Sequence, residues 1–149
     1  RAVAADGVAT YLLTATPSAD ADLDDRIVFF VRNRLDLYEQ ASSLLSMARA
    51  RAFDHDTLAE AVARNRSTPA DQTRACFAGE IDDLTPSAAA DLIAVIDSLT
   101  SPEAFELMTK AHSRTPQQVA RAWGTSILAL ITTSHKRGLT PDARARGQR

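Results

Sequence analysis

The stretch "TPSAAADLIAVIDSLTSPEAFELMTKAHSRTPQQVARAWGTSILALI", Thr85 to Ile131, decides the fold. Within it a hydroxyl residue repeatedly precedes a proline: Thr85-Pro86, Ser101-Pro102 and Thr115-Pro116. A Ser or Thr at the N-cap accepts a hydrogen bond from a free N–H of the first helical turn. Proline at the next position has no N–H to leave unpaired, and its φ is already helical. Gln118 follows Thr115 at the spacing of a capping box. Glu103 follows Ser101 where its charge suits the positive end of the helix dipole. Amphipathic sequence comes after each pair. Helices are therefore expected over Pro86 to Leu99, Pro102 to His112 and Pro116 to Arg137, with Gly138 as a stop.

Outward from this stretch the punctuation continues, because every proline of the chain follows a Ser or Thr. Thr68-Pro69 either kinks a helix that starts near Asp56 and reaches Arg66, or opens a new one to about Asp83. Further upstream, Asp22 to Ala52 reads as one long helix, on the order of 45 Å at 1.5 Å per residue. Its apolar stripe is Ile27, Phe30, Val31, Leu37, Tyr38, Ala41, Leu44, Leu45, Ala48 and Ala52. A Pro/Ser/Ala/Asp loop, Thr16 to Ala21, separates it from a first helix over Ala2 to Leu13. The tail Asp142 to Arg149 is polar and basic. No stretch alternates strictly between polar and apolar, so the expected fold is all-α, a helical bundle of about seven helices.

Composition narrows the function classes. The chain has 149 residues, enough for one domain with a proper core. Aromatics make up only 5%, so Leu, Ile, Val and Ala must carry most of the packing. A net charge of −2 gives no general attraction to nucleic acid. Apolar runs such as Ile27 to Val31 and Ile127 to Ile131 are far too short to span a membrane. The lone Cys76 cannot form an internal disulfide, and a reducing, cytoplasmic setting is the natural expectation. The sequence starts at Arg1 without an initiator Met, which leads to the expectation of a preceding N-terminal part.

The last helix carries more apolar surface than one packing face needs. One stripe is Val119, Trp123, Ile127, Leu130 and Ser134; another is Ala120, Gly124, Leu128, Ile131 and His135. A surface helix shows one such stripe. Two stripes fit a helix central to a monomer's core, and equally a helix shared with a symmetric partner. Ala120 and Gly124, one turn apart, would let another backbone come close.

The segment "ACFAGEIDDLTPSAAADLIAVIDSLTSPEAFELMTKAHSRTPQQVARAWGTSILALI", Ala75 to Ile131, resembles the C-terminal region of TetR-type (tetracycline-repressor-like) transcriptional regulators. The elements that carry the resemblance are Phe77, the step Leu99 to Glu103, Phe105, Leu107, Thr115-Pro116, Trp123 and Ile127 to Ile131. "RNRLDLYEQASSLLSMARARA" is similar to that family's central helix. The resemblance covers most of the chain, through loose motifs. It implies an effector-binding and dimerisation domain over residues 1–141, with 1–13 as a connecting helix from a helix-turn-helix head that the chain does not contain. Operator DNA would be reached only through that head. Homodimerisation through Pro116 to Arg137 and Pro86 to Leu99 is also implied, which places Ala120, Gly124, Ile127, Leu128, Ile131 and His135 in a four-helix interface. An effector bound among the middle helices would lower DNA affinity by coupling between the two sites.

The expected ligand-binding residues are the large side chains of those middle helices: Phe30, Arg34, Tyr38, Leu45, Phe77, Phe105 and Met108, with Phe53 beside them. Ligand sites are mainly apolar with a few orienting polar groups. Arg34 lies on the apolar stripe, where a charge needs a partner or an anionic ligand. The plainer account is that these side chains fill the core and that Arg34 snorkels or pairs internally. His55, His112 and His135 are scattered, none with a second ligand at metal spacing, so neither a metal nor any other cofactor is expected. Cys76 reads as a small buried residue. No phosphate loop or nucleophile elbow occurs, so no enzyme is expected. The reading led by the resemblance is an effector-sensing regulator domain. Its alternative is a helical protein-interaction or assembly module without a small-molecule ligand; a closed cavity would favour the first and a solid core the second.

Overall fold

The computed structural model describes residues 15–18, 20–51 and 67–138, with side chains placed in 69–137 and, before them, up to Gln40. Every regular element among these residues is helical. The long helix α1 spans Leu23–Arg51, and α2 spans Ser67–Cys76. Next come α3 (Ala78–Asp82), α4 (Pro86–Leu99) and α5 (Pro102–Glu106). A π-helical turn over Leu107–Ala111 follows, and then α6, Pro116–Gly138. The expected helices over 2–13 and 56–66, the tail 142–149 and the side chains of Leu45 and Phe53 lie outside the described residues.

The helix starts follow from local chemistry. The Asp22 carboxylate accepts from the Asp25 N–H at 2.9 Å, and Asp24 and Asp25 sit at the positive end of the α1 dipole. Thr85 Oγ1 accepts from Ala88 N–H at 3.3 Å and Ser101 Oγ from Ala104 N–H at 3.1 Å. Thr115 closes a full capping box: its Oγ1 accepts from Gln118 N–H at 3.2 Å, and its own N–H donates to Gln118 Oε1 at 3.0 Å. Pro69 lies in the first turn of α2.

Two expectations are revised. The helix expected to reach Asp83 breaks at Phe77, whose φ of −120° ends α2 before α3 begins. The helix expected over Pro102 to His112 is α-helical only to Glu106 and then widens, with His112 N–H donating to Leu107 O at 3.2 Å. The helical count of about seven rested partly on residues that are not described. The described fold is an all-helical domain consistent with a bundle.

Helix α1 packs chiefly against α6, while α4 packs against both α2 and α6. This is the helix-on-helix solution to burying an apolar stripe. The line Val119, Trp123, Ile127, Ile131 on α6 is fully buried and draws from both apolar stripes of that helix. A four-residue step drifts slowly around a 3.6-residue turn, so one buried line crosses from the first stripe to the second. Phe30, Phe77, Ile81 and Ile96 complete the centre. Each such side chain contributes on the order of 1.5–3 kcal/mol on burial.

Candidate functional site

Phe30, Arg34 and Tyr38 lie one turn apart on the inward face of α1, and all are buried. Arg34 is 2% exposed. Its Nη2 donates to Pro69 O at 2.9 Å, Thr73 Oγ1 at 3.3 Å and Asp97 Oδ1 at 3.2 Å. The Thr73 hydroxyl has one proton and two acceptors in range, Pro69 O at 3.0 Å and Asp97 Oδ1 closer still. The charged, nearer carboxylate takes it. Arg34, Thr73 and Asp97 thereby bind α1, α2 and α4 together. The guanidinium also lies over the Phe30 ring, 4.8 Å from its centroid.

Two aromatic groups flank this charge. Phe30 meets Phe77 with ring centroids 5.3 Å apart. Tyr38, Phe105 and Trp123 form a triangle with centroid separations of 5.8, 6.4 and 6.4 Å. Offset and edge contacts of this kind are favourable beyond the area they bury. The Tyr38 hydroxyl donates to Thr100 O at 2.6 Å. Burial pushes the Tyr38 phenol above its usual range, against the opposing pull of Arg34.

The residues expected to surround a ligand are thus brought together, but as neighbours of one another. Phe30, Arg34 and Phe77 form one contacting set, and Tyr38 and Phe105 another with Trp123. Met108 is half-buried and turns partly to a surface groove. The internal partner of Arg34 is Asp97, which the sequence did not single out. Nothing in local spacing pairs residues 63 positions apart.

The residues expected at a dimer interface separate. Ile127 and Ile131 are buried in this chain's own core. A Cβ at Gly124 would sit 3.6 Å from Ile27 Cγ2, so this side of α6 faces α1. Ala120 is half-buried against the core, His135 is half-buried, and Leu128 is 38% exposed.

A second ionic contact ties the start of α1 to α3. The Arg26 guanidinium grips Glu80 bidentately, at 2.6 and 2.7 Å, and also donates to Cys76 O at 3.0 Å and Ala21 O at 3.1 Å. The Arg26 hydrogen bond holds the Glu80 carboxyl below its usual range.

Burial pushes the Cys76 thiol up to about 11, which disfavours the nucleophilic thiolate at neutral pH. The Thr73 hydroxyl and its Asp97 partner are walled off from solvent at the hydroxyl and neutralised by Arg34. No group of three or more metal-ligating side chains occurs among the described residues, and no described helix is long and apolar enough to cross a membrane. No protein-family model, no curated protein and no solved structure matches the chain.

Proposed function

We propose that the chain is a helical protein-interaction and assembly module. The observation that carries this reading is that the side chains best suited to line a ligand cavity are spent on one another and on Asp97, Thr73 and Thr100. What the helices offer outward suits close helix-to-helix contact. The exposed side of α4 presents Ser87, Ala90, Asp91, Ala94 and Val95, and that of α6 presents Thr125, Leu128, Ala129 and Thr132. Small residues let a second helix approach, and Val95 and Leu128 supply apolar anchors. Self-association through these faces, as a homodimer, is the simplest assembly.

Sedimentation velocity over a concentration series tests this. The expected result is a mass-action dimer that Leu128→Glu converts to a monomer of unchanged helicity. A chain that stays monomeric and whose thermal midpoint rises with small apolar ligands would reject the module.

A second reading, the effector-sensing domain of a TetR-type regulator, draws on two buried donors. Arg34 Nε and the Trp123 indole N–H have no acceptor among the described residues. Such groups call for an explanation, and a bound ligand's carbonyl or carboxylate is one. On this reading a longer parent with a DNA-binding head would release its operator when the ligand binds.

A further inference from the structure

The widening of the helix after Glu106 builds a groove. One wall is the π-helical turn with Met108, continued by Arg114; the other is α6 with Gln118, Arg121 and Thr125. The volume is about 490 Å³, and the groove lies open along the surface. π-Helical turns often mark functional positions, because the extra residue re-aims the side chains around it. Two residues beyond the turn Ser113 is held at φ 52°, and Arg114 N–H donates back to Met108 O at 2.9 Å. That return brings the Arg114 backbone against Met108 and points the chain into α6.

The lining is chemically one-sided. It holds two guanidinium groups and the polar side chains of Gln118, Thr125 and Ser126, and no carboxylate. Gln118 Oε1 is occupied by Thr115 N–H, which leaves its amide N–H groups as donors. Glu106, at the edge of the π turn, is paired with Lys110 at 2.6 Å. In a chain of net charge −2, this concentration of donors is local. Met108 and Ala122 add an apolar patch. An open groove leaves a small molecule half in water, whereas an extended chain can lie along it and reach both arginines. Guanidinium groups favour carboxylates through paired, planar hydrogen bonds.

We propose that this groove docks an acidic peptide segment of a protein partner, with carboxylates on Arg114 and Arg121 and one apolar side chain against Met108 and Ala122. This rests on the interaction-module reading and adds the partner's chemistry.

The test uses the full chain and a fluorescein-labelled peptide of Asp, Glu and Leu, beside the same peptide with Asn and Gln in place of the acids. Fluorescence anisotropy should show binding of the acidic peptide only, weakening as salt rises. Arg114→Glu and Arg121→Glu should each lower affinity about tenfold or more, and Arg121→Lys should restore part of it. Both arginines are exposed, so circular dichroism should show unchanged helicity. Absence of binding, equal binding of the amide peptide, or charge reversal without effect would each overturn the proposal. Displacement by inorganic phosphate beyond that by sodium chloride of equal ionic strength would also overturn it, pointing to a small-anion site. Sedimentation of the same variants separates the remaining cases. If charge reversal dissociates a dimer, the groove holds a second copy. If peptide binding fails while the Leu128-dependent dimer persists, only the groove proposal falls.

Discussion

Arg34 and Asp97 show how a single buried charge joins distant parts of the chain. A guanidinium 2% exposed is costly unless its partners stay in place. Asp97→Ala removes the carboxylate and leaves the cation buried. Because the Asp97 side chain is 22% exposed, water can offset part of the loss, and the expected destabilisation is about 2–4 kcal/mol by urea titration. Arg34→Met with Asp97→Ala, which removes both charges and keeps an apolar stem at Arg34, should be more stable than Asp97→Ala alone. A double variant no better than the single one would mean the pair's charge is immaterial. Arg34 could be picked out from the sequence because it interrupts an apolar stripe; its partner could not, because the pairing depends on how α1 and α4 dock. Cys76 gives a second test. Its folded-state value of about 11 lies above the ordinary thiol value of about 8.5. The unfolded thiol therefore ionises first, and stability is full below that ordinary value and declines as pH rises through it toward 11. At neutral pH, iodoacetamide should label Cys76 only at the rate of unfolding; rapid labelling of the native chain would show that the thiol is open to solvent.

At the level of the helices, the starts were legible and the interruptions were not. Thr85, Ser101 and Thr115 act over three residues, so the sequence displays both the cap and the N–H it satisfies. The break at Phe77 and the widening after Glu106 coincide with side chains packed in or against the core, Phe77 and Met108, and such tertiary contacts are not encoded in any local pattern. The two stripes of α6 were visible, but which surfaces they meet was not: Ile127 and Ile131 go to the chain's own core. Gly124 decides between close-approach readings. Its missing side chain faces Ile27 at an ordinary contact distance of 3.6 Å, so Gly124→Ala fits without displacement. Alanine also loses less backbone entropy than glycine in a helix. The variant should be more stable by about 0.5–1 kcal/mol and should keep its association state. Loss of association on adding this one methyl would place Gly124 against a partner helix instead.

For the molecule as a whole, stability against acid depends on how the start of α1 is fastened. Arg26 bridges the loop at Ala21, the end of α2 at Cys76 and α3 at Glu80, so one side chain holds three segments. Arg34, two turns along, fastens the same helix to α2 and α4. The Glu80 carboxyl titrates below its usual value in the folded chain because Arg26 hydrogen-bonds it. The unfolded chain takes up this proton first as pH falls. The clamp's contribution is therefore complete above the unfolded value of about 4.3 and disappears as pH drops through the lower, folded value. Both side chains keep about a sixth of their surface exposed, 17% and 16%, so solvent screening limits the gain to about 1–2 kcal/mol. Urea midpoints measured from neutral to acid pH should fall below that unfolded value in the wild-type chain. Glu80→Gln should start lower at neutral pH and lose less on acidification, so that the two curves converge. Parallel curves across the acid range would mean that the Arg26–Glu80 clamp adds nothing, and that α1 is held by Arg34 and the apolar contacts with α6 alone.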